Sequence, residues 1–205
     1  MPIKNRFAEM LPEITEWRHD FHAHPELLFD THRTSGIVAE KLRAFGCDEV
    51  VEGLGRTGVV GVIKGKIDTD GRVVGLRADM DALPIFQGTG LAYASKAAGM
   101  MHACGHDVHM TVGTETALNL AAQKEAWQGT LMVIAQPAEE RGAGAKAMLA
   151  DEEWMTDDEC LQDWFAGCDY DLELKGDTSI EITLRTRCYY DGPVPCITNL
   201  PAPPP

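Results

Sequence analysis

Apolar residues recur at helical spacing in four parts of the chain, and each part predicts a helix. The four predicted helices span residues 7–21, 34–45, 108–127 and 143–155. The first ends before Pro25, the second has Gly46 as its C-terminal stop, and Asp107 is the predicted N-cap of the third. These residues at the helix ends support the helical interpretation of the periodicity.

Short runs that are almost wholly apolar lie between these helices. They cover residues 57–64, 72–78 and 129–135, and a fourth segment, 179–185, alternates between apolar and polar residues. Continuous apolar runs are typical of strands covered on both faces, and alternation is typical of a half-buried strand. Strands that alternate with helices predict an α/β layer fold with a largely covered sheet.

The charge balance changes near residue 150. Residues 1–150 hold 19 acidic and 15 basic residues, whereas residues 151–205 hold 13 acidic and 3 basic residues. The second part also holds four of the six cysteines and ends in the proline-rich segment 201–205. We therefore divide the chain into an α/β part, residues 1–150, and an acidic, cysteine-containing tail, residues 151–205.

The overall charge and hydropathy narrow the classes of partner. The 205 residues carry a formal net charge of −14, so we expect neither a nucleic-acid-binding surface nor attraction to an anionic membrane. No apolar run approaches the roughly 20 residues of a membrane span, and the N-terminal segment lacks the apolar core of a signal peptide. These observations predict a cytoplasmic protein whose cysteines are reduced thiols or metal ligands.

Two carboxylates follow the second predicted strand, in the segment Leu76-Arg-Ala-Asp-Met-Asp-Ala-Leu-Pro84. A spacing of two places Asp79 and Asp81 on one side of the chain if the chain stays extended. For this motif alone, an acidic turn that ends at Pro84 is an equal alternative.

Histidine and cysteine residues cluster before the third predicted helix, in the segment Met101-His-Ala-Cys-Gly-His-Asp-Val-His109. His102, Cys104 and His106 share one side of an extended chain, and they supply the thiolate and imidazole ligands that Zn²⁺ and similar ions prefer. The nearby helix N-terminus is expected to favour the thiolate form of Cys104. The alternatives are a buried free cysteine beside unrelated histidines, and a nucleophilic cysteine.

Two adjacent glutamates follow the third predicted strand, in the segment Gln136-Pro-Ala-Glu-Glu-Arg-Gly142. Because neighbouring side chains point in different directions, one glutamate can bind a metal ion while the other reaches a water molecule. Metal-assisted hydrolysis requires this combination of a Lewis acid and a separate general base. The alternative is the acidic start of a solvated helix.

All three motifs lie just past the carboxyl end of a strand or at the start of a helix. Ligand sites of open α/β sheets lie in the crevice outside these strand ends. The shared placement predicts one pocket, formed by Asp79, Asp81, Cys104, His106, Glu139 and Glu140.

With the segment Arg18-His-Asp-Phe-His-Ala-His-Pro-Glu-Leu27, these motifs resemble the amidohydrolase branch of the aminoacylase/carboxypeptidase metallopeptidase superfamily. That branch includes hippurate hydrolases, auxin-conjugate hydrolases and N-acetyl-diaminopimelate deacetylases. The resemblance covers about residues 10–150. It implies a three-layer α/β/α zinc-exopeptidase-like catalytic domain. It also implies a pair of divalent ions, usually Mn²⁺ or Zn²⁺, and a small-molecule substrate, an N-acyl amino acid that is hydrolysed at its amide bond.

The resemblance assigns roles to four residues of the predicted pocket. Cys104, His106 and Glu140 match metal ligands of the family. Glu139 matches the general base.

Four further residues are expected to act around these ligands. Asp79 and Asp81 match an acidic pair beside the site, for which we expect a supporting role, and Asp81 is also grouped with the general base as catalytic. His102 and His109 are expected to support the metal ligands.

The chain differs from the family pattern in two respects. Family members are about twice as long, with a smaller dimerisation domain inserted in the catalytic domain, and they supply two further histidine ligands after the double glutamate. This sequence has no histidine after His109, and the resemblance ends at about Asp151. We therefore expect a truncated chain, an incomplete catalytic domain without the inserted domain, and one bound metal ion or none.

Two functions are consistent with this pattern. The first is a metal-dependent amidohydrolase, and the alternative is a catalytically inactive remnant that binds a metal ion or a protein partner. A sheet edge or apolar face that the missing half would cover also favours a homo-oligomer.

Overall fold

A computed structural model describes residues 3–66, 73–151, 173–174 and 180–181 of the chain. The chain separates into two compact units, Met1–Asp151 and Glu152–Pro205. The helices of the first unit, numbered in chain order, are α1 (Ile3–Ala23), α2 (His32–Ala44), α3 (His106–Ala121) and α4 (Gly144–Leu149). Two short 3₁₀ helices, Lys124–Ala126 and Glu139–Arg141, lie on either side of its last strand. None of these described helices is long and apolar enough to cross a membrane.

The first unit is built on a four-stranded mixed sheet. Its strands are β1 (Glu49–Leu54), β2 (Gly58–Lys64), β3 (Val73–Asp79) and β4 (Thr130–Gln136). Their order across the sheet is β1-β2-β4-β3, with β2 antiparallel to both of its neighbours and β3 parallel to β4. Because β3 and β4 are parallel, their connection must cross the sheet, and α3 makes that crossover.

The second unit is described only at two short strands. These are β5 (Glu173–Leu174) and β6 (Ile180–Glu181), which pair in antiparallel fashion.

One face of the sheet packs against α2 and α3, and α1 packs against α3. Val59 and Ile63 of β2 point to this face beside Leu131 of β4, and all three are almost fully buried. Gly61 lies between them, where a Cβ atom would come within 3.0 Å of the Leu42 side chain of α2. The glycine therefore lets α2 approach the sheet closely, and the helices seal the core from this side.

The opposite face of the same strands is also covered. Val60 and Ile134 point to it and are 1% and 2% exposed. Gly58 has the same orientation as Val60, and a Cβ atom there would come within 2.7 Å of the Met148 side chain of α4. Burial on both faces explains why β2 and β4 are almost continuously apolar in sequence.

The predicted α/β class and the positions of its three apolar strands are confirmed, with each strand within one residue of its predicted bounds. The predicted cover on both faces is wrong for β3, because β3 lies at the edge of the sheet and its Val74 is 63% exposed. Strand β1 was not predicted, because only Leu54 is buried among its residues and its apolar pattern is weak. Gly53 in this strand has a φ of +86° and lies at a shift in the register with β2. A glycine inside an apolar run does not predict a regular strand.

The predicted start of the third helix is wrong. Helix α3 begins at His106, with Gly105 as its N-cap at a φ of 87°. Asp107 is therefore in the first turn, where its carboxylate is buried and paired with two side chains of α1. The helix also ends at Ala121, earlier than predicted, because the chain then forms the 3₁₀ helix Lys124–Ala126.

Two predictions fall partly outside the described residues. The helix predicted over residues 143–155 is observed as α4, which ends at Leu149, and the residues after 151 are not described. The strand predicted over residues 179–185 is described only at Ile180–Glu181. The proline-rich segment 201–205 lies outside the described residues.

Candidate metal centre

The site lies where the two parallel strands end. Asp79 is the last residue of β3 and is paired with Gln136, the last residue of β4. The backbone N–H of Met80 donates to the Gln136 carbonyl at 2.8 Å, so the two chains leave the sheet side by side. This pairing brings the Asp79–Asp81 segment next to the double glutamate, as the shared placement of the motifs predicts.

Asp81 connects the chain segments that carry the candidate ligands. Its side chain is fully buried, and its two carboxylate oxygens accept hydrogen bonds from the backbone N–H groups of Glu139, at 2.9 Å, and Glu140, at 3.2 Å. Its backbone carbonyl accepts a hydrogen bond from Nδ1 of His106 at 2.7 Å. The Asp81 carboxylate thus holds the glutamate turn, Glu139–Arg141, and the role predicted for Asp81 beside the site stays a prediction.

The glutamate turn is compact because its neighbours are small. Glu139 and Glu140 lie in the 3₁₀ helix Glu139–Arg141, between Ala138 at a φ of 50° and Gly142 at a φ of 60°. A Cβ atom on Gly144 would lie only 1.6 Å from the Pro137 carbonyl oxygen, so this close approach requires glycine. The turn therefore directs two adjacent carboxylates back towards the end of β3.

The Asp81 carbonyl fixes the orientation of the His106 ring. In the neutral imidazole, donation from Nδ1 to that carbonyl places the proton on Nδ1 and leaves the lone pair on Nε2 free. The Nε2 atom lies 3.5 Å from Asp79, 3.6 Å from Glu139 and 3.7 Å from Glu140, each distance measured to a carboxylate oxygen. One buried imidazole nitrogen therefore faces three carboxylates.

Cys104 is a half-buried free thiol beside the same group. Burial raises the pKa of the Cys104 thiol to about 12, and the Glu140 carboxylate also disfavours the thiolate. The expected effect of the helix N-terminus on the thiolate is therefore outweighed by burial. A cation bound beside the sulfur would restore the thiolate, because a nearby positive charge favours the charged form.

The residues present fit a bound divalent cation. The ligand atoms of Cys104, His106 and Glu140 all lie within 4.8 Å of one another, and they offer the sulfur, nitrogen and oxygen donors typical of zinc sites. Asp79, His106 and His109 form a second such group. Both groups need the Nε2 lone pair of His106, so a single ion takes it, and a second ion would have to rely on the other residues.

Glu139 is the carboxylate that the first group leaves unused. Its side chain is 39% exposed, so water can reach it. Burial raises the pKa of the Glu139 carboxyl above its usual value, the negative charge of Asp79 adds to this effect, and His106 and Arg77 oppose it. A carboxylate with a raised pKa accepts a proton more readily, which suits a general base.

Asp79 and His109 form a pair at the edge of the site. The Nδ1 atom of His109 lies 2.6 Å from the Asp79 carboxylate, which Arg77 approaches to 3.3 Å on another side. His109 is more than half exposed, whereas Asp79 is buried. The pair thus lies between the buried ligands and solvent.

His102 does not join either ligand group among the described residues. Its side chain is 3% exposed, and neither ring nitrogen has a hydrogen-bond partner in the described part of the chain. Burial lowers the pKa of His102 to about 4, with the nearby Asp107 opposing the shift. The shared face predicted for His102, Cys104 and His106 thus brings together only the last two.

The structure also contains a buried polar group that sequence reasoning missed. Arg18 and His22 of α1 contact the Asp107 carboxylate at 2.9 Å and 2.8 Å. These residues lie in two of the segments that carry the family resemblance. That membership is the one signal in the sequence that could have identified them, because the contacts span more than 80 positions.

Comparisons with known proteins show which family and which relatives the chain resembles. The sequence model of peptidase family M20/M25/M40 matches residues 75–184. The chain is 50% identical over 151 residues to a hippurate hydrolase of Campylobacter jejuni, covering 74% of this chain and 38% of that protein. It is 44% identical over 140 residues to an N-acetylcysteine deacetylase of Bacillus subtilis, covering 66% of this chain and 35% of that protein. The chain therefore spans less than two fifths of the length of these relatives.

A solved structure shows the same fold. A dinuclear metal-binding peptidase of the M20 family from Bacillus subtilis superposes with a TM-score of 0.63 at 41% sequence identity, over 67% of this chain and 38% of that one. The predicted catalytic-domain fold is thereby confirmed. The family match runs to residue 184, beyond the predicted end of the resemblance, so the division at residue 150 stays a prediction.

Proposed function

Because the chain belongs to peptidase family M20/M25/M40, we propose that it carries out metal-dependent hydrolysis of the amide bond in N-acyl amino acids. The observation that carries this proposal is the convergence of Cys104, His106 and Glu140 on one point, with Glu139 beside them. Metal-dependent hydrolysis needs a bound metal ion as the Lewis acid and a separate, accessible carboxylate as the general base.

The residues of the site have different roles in the proposed hydrolysis. Cys104, His106 and Glu140 would hold a divalent ion, Zn²⁺ or Mn²⁺, which when bound supplies Lewis acidity and lowers the pKa of water. Glu139 accepts a proton from the attacking water on its carboxylate and can pass that proton to the departing amine. Asp81 holds the backbone of Glu139, so its contribution to turnover is through position.

The substrate class follows from two relatives. One is named for hydrolysis of hippurate and the other for deacetylation of N-acetylcysteine, and both compounds are N-acyl amino acids. We infer the same class here, since the chain is 50% and 44% identical to these proteins over the segments that carry the site.

Substitution of the general base provides the test. The full chain, loaded with Zn²⁺ or Mn²⁺, is assayed against a panel of N-acyl amino acids, with a chelator as the negative control. Glu139→Gln should lower kcat by about 10²–10⁴-fold while the bound metal content stays unchanged. Glu125→Gln, at an exposed glutamate that pairs with Lys66, is the matched control and should retain full activity.

The outcomes separate the two candidate functions. Unchanged turnover in Glu139→Gln would contradict the assignment of the base. Stoichiometric metal binding by the wild-type chain without turnover of any substrate would contradict hydrolysis by this chain and support the metal-binding alternative.

A further inference from the structure

A fully buried carboxylate lies beside the metal-ligand group without belonging to it. Asp107 follows His106 in the first turn of α3, and its side chain has no solvent exposure. One carboxylate oxygen, Oδ2, accepts a hydrogen bond from His22 Nδ1 at 2.8 Å, and Arg18 Nε lies 2.9 Å from the same oxygen as an ion pair. Because a buried carboxylate needs a partner charge, the Arg18 guanidinium accounts for its presence there.

The proton on His22 can be located from its surroundings. The backbone N–H of Ser95 donates to Oε1 of Gln87 at 2.7 Å, which fixes the orientation of the Gln87 amide. The amide nitrogen of Gln87 must then face His22 Nε2, 3.1 Å away, and donate to it. The His22 proton is therefore on Nδ1, from which it is donated to Asp107.

The loop between β3 and α3 covers this contact. The Tyr93 ring lies 4.9 Å from the Arg18 guanidinium, and it stacks on His19 with ring centroids 3.8 Å apart. The loop thus contacts the two side chains of α1 that hold the Asp107 carboxylate. Arg18 Nε and Asp107 Oδ1 have no hydrogen-bond partner among the described residues, so the ion pair with Arg18 and the hydrogen bond from His22 are the contacts that hold the turn in place.

His106 lies between two fixed points. Its ring is fixed by the Asp81 carbonyl, and its backbone is adjacent to the residue that Arg18 and His22 hold. We propose that Asp107 is a positioning residue which, held by Arg18 and His22, sets the first turn of α3 so that His106 meets Cys104 and Glu140 at the metal. This inference rests on the proposed function, since it concerns the same metal site.

Positioning differs from simple structural support in what it changes. A contact that only stabilises the fold alters the unfolding midpoint and leaves the metal affinity of folded molecules unchanged. A contact that sets the geometry of a ligand weakens metal binding in molecules that are still folded, by about 10–100-fold for groups in the second layer of metal sites. Metal affinity of the folded chain is therefore the decisive measurement.

The experiment uses the full chain and Zn²⁺, with a chromogenic chelator as competitor. Arg18→Gln and Asp107→Asn should each weaken Zn²⁺ binding by about 10–100-fold. The double variant should lose no more Zn²⁺ affinity than the single variant with the larger loss, because both substitutions remove the same contact. Arg33→Gln is the matched control, because Arg33 joins α2 to Asp20 of α1 in an ion pair away from the site. The control should bind Zn²⁺ with wild-type affinity.

A Co²⁺ spectrum provides a second readout. Charge-transfer absorption from the Cys104 thiolate should be retained in the variants with altered ligand-field bands, since the turn that carries His106 moves while the sulfur stays. Wild-type Zn²⁺ affinity and Co²⁺ spectra in folded Arg18→Gln and Asp107→Asn would overturn the inference while leaving the proposed function intact. Absence of metal binding by the wild-type chain would overturn the proposed function and the inference together. If Asp107→Asn fails to fold, Arg18→Gln decides, because that side chain is 28% exposed and easier to replace.

Discussion

Replacing Asp81 with alanine should destabilise the fold strongly, although the side chain lies at a turn. The carboxylate is fully buried and accepts backbone hydrogen bonds from Glu139 and Glu140. Alanine removes both acceptors and leaves two N–H groups of the glutamate turn without their partner. The backbone carbonyl of residue 81, which orients His106, is retained.

The magnitude follows from the two hydrogen bonds. A hydrogen bond to a charged group contributes about 1.5–3 kcal/mol, so two of them contribute about 3–6 kcal/mol. The substitution also removes a buried charge and with it the cost of desolvating that charge. The expected loss in the free energy of unfolding is therefore at the lower end of this range, about 3 kcal/mol. A domain with a free energy of unfolding of roughly 5–15 kcal/mol survives this loss, so the variant can be measured in its folded form.

Urea unfolding in the presence of a chelator measures the effect. Tryptophan fluorescence reports the transition, because Trp17 is buried in the core and Trp127 packs against it. Asp30→Ala is the control, since Asp30 is 76% exposed and its nearest cation, on Arg56, is 3.5 Å away. The control should change the free energy of unfolding by less than about 0.5 kcal/mol. Equal midpoints for the Asp81 and Asp30 variants would refute the view that the carboxylate holds the glutamate turn.

Two further predictions concern the cluster before α3. Burial lowers the pKa of His102 to about 4 from 6.5, so the unfolded chain takes up a proton before the folded chain does as the pH falls. The stabilisation should be fully present above pH 6.5, and the free energy of unfolding should decrease by roughly 2 kcal/mol on going to pH 5. Urea unfolding in the presence of a chelator measures this decrease. His102→Leu should remove this part of the pH dependence, and an unaltered slope would contradict the assignment. Cys104→Ser should weaken Zn²⁺ binding far more than Mn²⁺ binding in competition titrations, because the thiolate is a soft ligand; equal losses for both ions would contradict a sulfur ligand.

The parts of the fold that could be predicted are those in which burial produces a local pattern of apolar residues in the sequence. Strands β2 and β4 are covered on both faces, so their apolar runs identify them. Strand β1 is mostly exposed or half-buried and interrupted at Gly53, so no comparable run exists. The predicted start of α3 was misplaced because aspartate is a residue type that favours the N-cap position. The position of Asp107 in the first turn instead depends on its pairing with α1, which is distant in sequence.

The candidate site could be predicted in composition but only partly in geometry. Cys104, His106 and the double glutamate meet as the strand-end argument predicts, because that argument depends on topology alone. The behaviour of His102 could not be predicted, since its burial depends on which residues pack over it. The same holds for the Cys104 thiol, whose pKa reflects burial and a neighbouring carboxylate 36 positions away in sequence.

The arrangement of the site depends on the parallel pairing of β3 and β4 more than on any one ligand. Pairing of Asp79 with Gln136 sets where both chains leave the sheet, and two residues later the Asp81 carboxylate meets the backbone of the glutamate turn. A shift of one residue in this register would turn Asp79 to the other face of the sheet and displace the following segment, so that Asp81 would be separated from that backbone. The candidate ligands Glu140 and His106 would then lose their common support, because both are held by Asp81, one through its carboxylate and the other through its carbonyl. The geometry of the candidate metal site is therefore specified by strand register, because the backbone positions the side chains of the site.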